Sequence, residues 1–180
     1  METQAHMSSE KKHLIMKRRS ADLSKAIIDN KIADTALDVL VFKLAEELYA
    51  IETKYIREVY PLKDYTVLPG TPKFIFGLIN LRRKIISVID LKVLFDLPES
   101  LDMEKKVIIL EDGQKEFAIL SNGIIGMQKI PIEDVQNTMP TLSEIRQDFL
   151  KGVSNDGIAL LDGAKLLYSK QIVVDETVDL

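Results

Sequence analysis

Two stretches of the chain repeat one another, and this constrains the fold more than any other feature. VFKLAEELYAIETKYIREV, starting at Val41, lines up with VIILEDGQKEFAILSNGIIGMQKI, starting at Val107. Ala50-Ile51 falls on Ala118-Ile119, Ile56 on Ile124 and Val59 on Met127, each 68 residues later. The second halves correspond as well: Gly77, Asp90 and Leu94-Phe95 are echoed by Gly152, Asp162 and Leu166-Leu167. Both read as a glycine, an apolar strand, then an aspartate opening a short helix. Such self-similarity means one supersecondary unit used twice. Asp90 and Asp162 are expected to be helix caps, accepting hydrogen bonds from the free N–H groups of the turns they open.

The texture inside each copy is that of strands. Val39-Leu40-Val41-Phe42-Lys43-Leu44 reads as a largely buried strand, with Leu48-Tyr49-Ala50-Ile51 as its hairpin partner across Ala45-Glu46-Glu47. Further strands are expected near Ile85–Ile89, Val107–Leu110, Phe117–Leu120, Ile124–Ile130 and Ile158–Leu161. Asp112-Gly113, Asn122-Gly123, Asp156-Gly157 and Asp162-Gly163 punctuate them, pairs that tolerate the positive φ of tight turns. Pro69 and Pro72 break the chain before Phe74 to Leu81, which reads as an apolar turn or short helix. Short strands at close spacing argue for small barrels or sandwiches over a parallel α/β sheet. Ahead of them, residues 10–31 carry seven Lys/Arg against three acids with no Gly or Pro, a basic helical leader. A helix lying on the domain and an amphipathic helix for a membrane surface or partner both fit it, although Trp and Phe anchors are absent.

Composition narrows the function. With 46% apolar and 29% charged residues in 180, the chain can build a core. It has no cysteine, and its two histidines, His6 and His13, lie in the leader. Thiolate catalysis, disulfides, a core histidine base and a Cys/His metal site are thereby excluded. Phosphate-cradling glycine motifs are missing too. The acidic pairs Glu46-Glu47, Glu111-Asp112 and Glu133-Asp134 sit at expected turns, where solvated charge is the default. No enzyme, no cofactor and no catalytic metal are expected. No apolar run reaches the roughly 20 residues of a membrane span, and the N-terminus lacks a signal-type apolar region, so a cytoplasmic protein is expected. A binding module remains. A β-barrel for nucleic acid using the basic leader is a rival reading, opposed by the net charge of −4 and the absence of Trp.

The longest distinctive passage is VLPGTPKFIFGLINLRRKIISVIDLKVLFDLP, from Val67 to Pro98. It resembles the signature of the CheW family of bacterial chemotaxis coupling proteins, L-P-x-x-P-x-F-I-x-G-h-h-N-L-R-G-x-h-h-P-V-h-D-L with h apolar. The likeness covers about residues 39–170. Arg83 stands where the pattern has Gly, and Ser87 where it has Pro. The resemblance implies a mainly β, CheW-like fold: two tandem, intertwined five-stranded β-barrels of SH3-like type, with short connecting helices. The expected boundaries are a leader over 1–36, the domain over 37–172 and a tail over 173–180. It also implies a scaffold without catalysis, bridging the cytoplasmic tips of chemoreceptors to the regulatory domain of a CheA-type histidine kinase at membrane-associated arrays. The family's receptor-contacting arginine falls on Arg82, flanked by Asn80, and the contacting positions after the first hairpin fall on Ile56 and Glu58. Core packing is an alternative role for Ile56, and an internal salt bridge to Glu58 for Arg82. A non-flagellar output, twitching or gliding, fits the same resemblance.

Overall fold

The computed structural model describes residues 35–98, 105–136 and 144–172, so the expected leader helix and the tail from 173 lie outside the described residues. From Leu37 on, the described residues belong to one packed unit. Strands β1 (Ala36–Leu44) and β2 (Glu47–Glu52) form a hairpin in which Val41 faces Ala50. Its counterpart, β6 (Lys106–Glu111) with β7 (Glu116–Ser121), sets Ile109 against Ala118. Both partners have moved on by the repeat spacing, so the two hairpins share one register.

The remaining strands are exchanged between the copies. Around the second hairpin, β3 (Ile56–Pro61), β5 (Lys84–Ile89) and β4 (Ile75–Leu81) build a five-stranded sheet in the order β3-β6-β7-β5-β4. Around the first hairpin stand β8 (Gly123–Pro131), β9 (Val135–Gln136), β10 (Leu150–Ser154) and β11 (Ala159–Leu161), in the six-stranded order β8-β1-β2-β11-β10-β9. Each hairpin therefore sits between strands of the other copy. The two parallel pairings match as well, Ile89 against Ile119 and Leu161 against Ile51.

This architecture explains the long apolar runs. Leu40, Phe42, Tyr49 and Ile51 point into a central core with Ile108, Leu110, Phe117 and Ile119. Their alternates face away from it: Val39, Val41 and Ala50 pack with Ile130 and Leu160, while Val107, Ile109 and Ala118 pack with Ile79, Ile86 and Val88. A strand apolar on both faces shows no alternation, because both of its faces are buried. Short helices cover the ends of the central core. Asp90 Oδ1 accepts from Lys92 N at 3.0 Å, opening α1 (Leu91–Leu94). Asp162 Oδ1 accepts from Ala164 N and Lys165 N, both 3.1 Å, opening α3 (Gly163–Tyr168). A third helix, α2 (Glu144–Phe149), leads into β10.

Two expectations are corrected. The sheets are not closed barrels: in each order the first and last strands, β3 and β4 or β8 and β9, are not joined by a ladder. Closure would need backbone pairing between these end strands. In the five-stranded sheet the gap is crossed instead by the isolated bridge Thr66–Leu78 and by side chains. The second correction is Phe74 to Leu81, a strand from Ile75 on rather than a turn or helix. Gly77, Ile79 and Leu81 are buried while Leu78 and Asn80 are less so, the period of two that a half-buried strand requires. Ile75 and Phe76 precede a break in register at Gly77, and that bulge masks the alternation in the sequence.

Candidate functional site

The surface that the sequence singles out lies where β3 meets the β4–β5 hairpin. Leu81 faces Lys84 at the end of that hairpin, so Arg82 and Arg83 are the two residues of its turn. Both are left-handed, with φ of 50° and 69°. A two-residue turn with positive φ at both positions matches the right-handed twist of the strands it joins. Gly or Asn would enter it without strain; two arginines do not. The side chain of Arg82 is 71% exposed, and its Nη2 donates to Glu58 Oε2 at 3.0 Å.

Glu58 comes from β3, which belongs to the opposite end of the strand order, so this ion pair crosses the open side of the curled sheet. A bulge places it there. Ile56 pairs with Leu110 and Glu58 with Ile109, leaving Arg57 as the extra residue. Ile56 is half-buried and packs against the central core. Asn80 is exposed on β4, opposite Ile85. The fold thus joins Glu58 directly to Arg82, keeps Asn80 two positions from it on the same hairpin, and sets Ile56 at the inner end of β3.

Sequence reasoning missed the groups beneath this pair. Arg57 Nη1 donates to Glu116 Oε1 and lies 3.5 Å from Glu111 Oε2, and its Nε is 3.4 Å from Glu58 Oε1. Glu116 Oε2 in turn accepts from Lys84 Nζ at 3.2 Å. Nothing in the sequence spacing pointed to Arg57, because a bulge changes the side on which a residue emerges and leaves no composition signal. Among the described residues no cluster of His, Asp and Glu could hold a metal, and no helix is long and apolar enough to cross a membrane.

A family model described as the CheW-like domain matches residues 38–171. The chain belongs to the CheW family. Its relatives include the chemotaxis protein CheW of Treponema pallidum, 28% identical over 149 residues, covering 78% of this chain and 88% of that protein. CheW of Klebsiella aerogenes is 29% identical over 145 residues, with 78% and 87% covered. Among solved structures, the crystal structure of scaffolding protein TtCheW from Thermoanaerobacter tengcongensis superposes with a TM-score of 0.64 at 30% identity, covering 71% of this chain and 84% of that one. The family match begins at Asp38, within β1, and runs past the end of α3. Both sheets are therefore CheW-like, and the exchange of hairpins belongs to the matched region.

Proposed function

We propose that this chain is a non-catalytic adaptor that couples chemoreceptors to a CheA-type histidine kinase from the cytoplasmic side of the membrane. The observation that carries the reading is the family match across both sheets, together with a solved relative described as a scaffolding protein. The Glu58–Arg82 pair is the surface we assign to the receptor. Exposed ion pairs contribute roughly 0–1 kcal/mol, so Arg82 can leave Glu58 for a receptor carboxylate at small cost. Ile56 then supplies apolar area beside it, while Glu58 and Asn80 fix the register of a receptor helix. A planar guanidinium with several directed donors suits such a contact.

The test is binding of the purified chain to a chemoreceptor cytoplasmic-tip fragment, with Arg82→Ala as the diagnostic variant. Loss of an interface hot spot costs roughly 2 kcal/mol, so affinity is expected to fall on the order of thirtyfold with an unchanged melt. The Arg82/Arg83 double substitution controls for replacement by the neighbouring guanidinium. Binding that survives the double change would place the receptor surface elsewhere. Leu40→Ala provides the opposite control. It opens a cavity in the central core and is expected to cost about 2–5 kcal/mol of stability.

A further inference from the structure

The ion pairs beneath Arg82 form a closed circuit. From Arg82 they pass to Glu58, to Arg57, to Glu116 and to Lys84, which returns to the hairpin that carries Arg82. Three features make Arg57 the centre of it. Glu111 and Glu116 face each other directly across the β6–β7 hairpin, a like-charge pair that is unfavourable by itself. Arg57 Nη1 sits against both. Glu58 Oε1 is buried, accepts no hydrogen bond, and has the Arg57 guanidinium 3.4 Å away as its compensating charge. Finally, the bulge makes Arg57 the unpaired residue of an edge strand, free of the alternation that governs its neighbours.

We propose that Arg57 is a positioning residue. It presets the Glu58–Arg82 pair for a receptor helix, by tying β3 to the β4–β5 hairpin through Glu116 and Lys84. This rests on the reading that Glu58 and Arg82 face the receptor. The side chain of Arg57 is 22% exposed and those of Glu58 and Glu116 are 21% and 17%, against 71% for Arg82. The inner members of the circuit are therefore screened from solvent, and the outermost guanidinium is the one displayed. Without Arg57, Glu111 and Glu116 repel, Glu116 loses its fixed orientation, and the Lys84–Glu116 pair that anchors the end of the strained turn to β7 is loosened. A guanidinium on a loosened turn must be ordered when it binds, and that ordering reduces affinity.

A double-mutant cycle on the full chain tests this, with Arg57→Met, which keeps the apolar stem, and Arg82→Ala. Binding to the receptor-tip fragment is the first readout, binding to the kinase regulatory domain the second, and the melt the third. The expected result is about tenfold weaker receptor binding for Arg57→Met in the wild-type background, and less than about twofold further loss in the Arg82→Ala background. Kinase binding should stay near wild type. The melt should fall, because Glu58 Oε1 and the Glu111–Glu116 pair lose their compensating charge, and Arg57→Lys should recover part of both the affinity and the melt. If Arg57→Met leaves receptor binding unchanged while Arg82→Ala weakens it, the positioning role is wrong and the receptor surface stands. If Arg82→Ala has no effect, the receptor surface itself is wrong and this inference goes with it. Equal losses in both backgrounds would mean that Arg57 acts on binding independently of Arg82, and the positioning role would be overturned. Should Arg57→Met fail to fold, Glu116→Gln enters the same cycle and its coupling to Arg82 decides.

Discussion

Arg83 stands in left-handed backbone, with φ 69°, where the CheW signature has glycine. A Cβ there meets the neighbouring carbonyl, at a cost of about 1 kcal/mol. Arg83→Gly is therefore expected to raise the melting temperature by about 2–4 °C, measured by calorimetry, without weakening a receptor contact that belongs to Arg82. The departure from the family pattern was legible in the sequence; that Arg82 shares the strain, with φ 50°, was not. A second residue gives a pH test. Glu52 is buried at the end of β2, and burial alone would push its carboxyl up. Hydrogen bonds from Lys151 and Lys54 outweigh that and hold it below its usual 4.5. A depressed carboxylate contributes stability that is fully present above the unfolded value and is lost as pH falls through the folded one. The stability gap between wild type and Glu52→Gln should therefore be constant above pH 4.5 and close on acidification below it. Denaturant melts at several pH values measure that gap, and one that widens in acid would contradict the assignment. Lys151 lies 99 residues from Glu52, so no local reading could have paired them.

At the scale of elements, Gly77 and Gly152 carry the repeat into the backbone. Each follows a break in register, after Ile75 in β4 and after Leu150 in β10. Each is also crowded by a carbonyl of a neighbouring segment. A Cβ on Gly77 would lie 2.6 Å from Thr66 O, and one on Gly152 would meet Gln136 O. Alanine at either position is expected to cost about 1–3 kcal/mol, since backbone must shift and no flexible side chain can yield. Equilibrium unfolding of the two variants checks this, with the larger loss expected at Gly77, whose φ of 154° adds a backbone strain that Gly152 does not carry. The sequence placed these glycines in matching positions without revealing why. The strands on either side were read correctly where both faces are apolar, as at β1 and β6. The reading failed at β4, where the bulge offsets the alternation that identifies a strand.

For the whole molecule, the exchange of hairpins has a direct consequence. The first copy by itself holds β1 to β5, yet β3 pairs with β6 of the second copy, and β5 lies between its hairpin partner β4 and β7 of the second copy. A fragment ending near residue 98 keeps Ile89, Leu91 and Phe95 but deprives Leu40, Phe42, Tyr49 and Ile51 of Ile108, Leu110, Phe117 and Ile119 in the same core. Separate fragments 35–98 and 105–172 are expected to be unfolded alone and to regain β structure when mixed, as followed by circular dichroism. A first fragment that folded cooperatively by itself would show that the copies are independent. What the sequence determined was the alphabet of the fold. The places of β1, β2, β5 to β8 and β11, the two capping aspartates and the repeat of the hairpin follow from local periodicity and from one motif used twice, and such signals act over a few residues. The places of β3, β4, β9 and β10 did not, and the first hairpin closes with Leu44 facing Glu47, one residue tighter than the expected connection Ala45-Glu46-Glu47. What only the tertiary structure decided was which strands pair across copies, that the sheets stay open, and that Arg57 meets Glu116 and Arg82 meets Glu58. Those contacts join residues far apart in the chain, and their energies depend on burial and on the curl of the sheet. Neither quantity exists until the chain has folded.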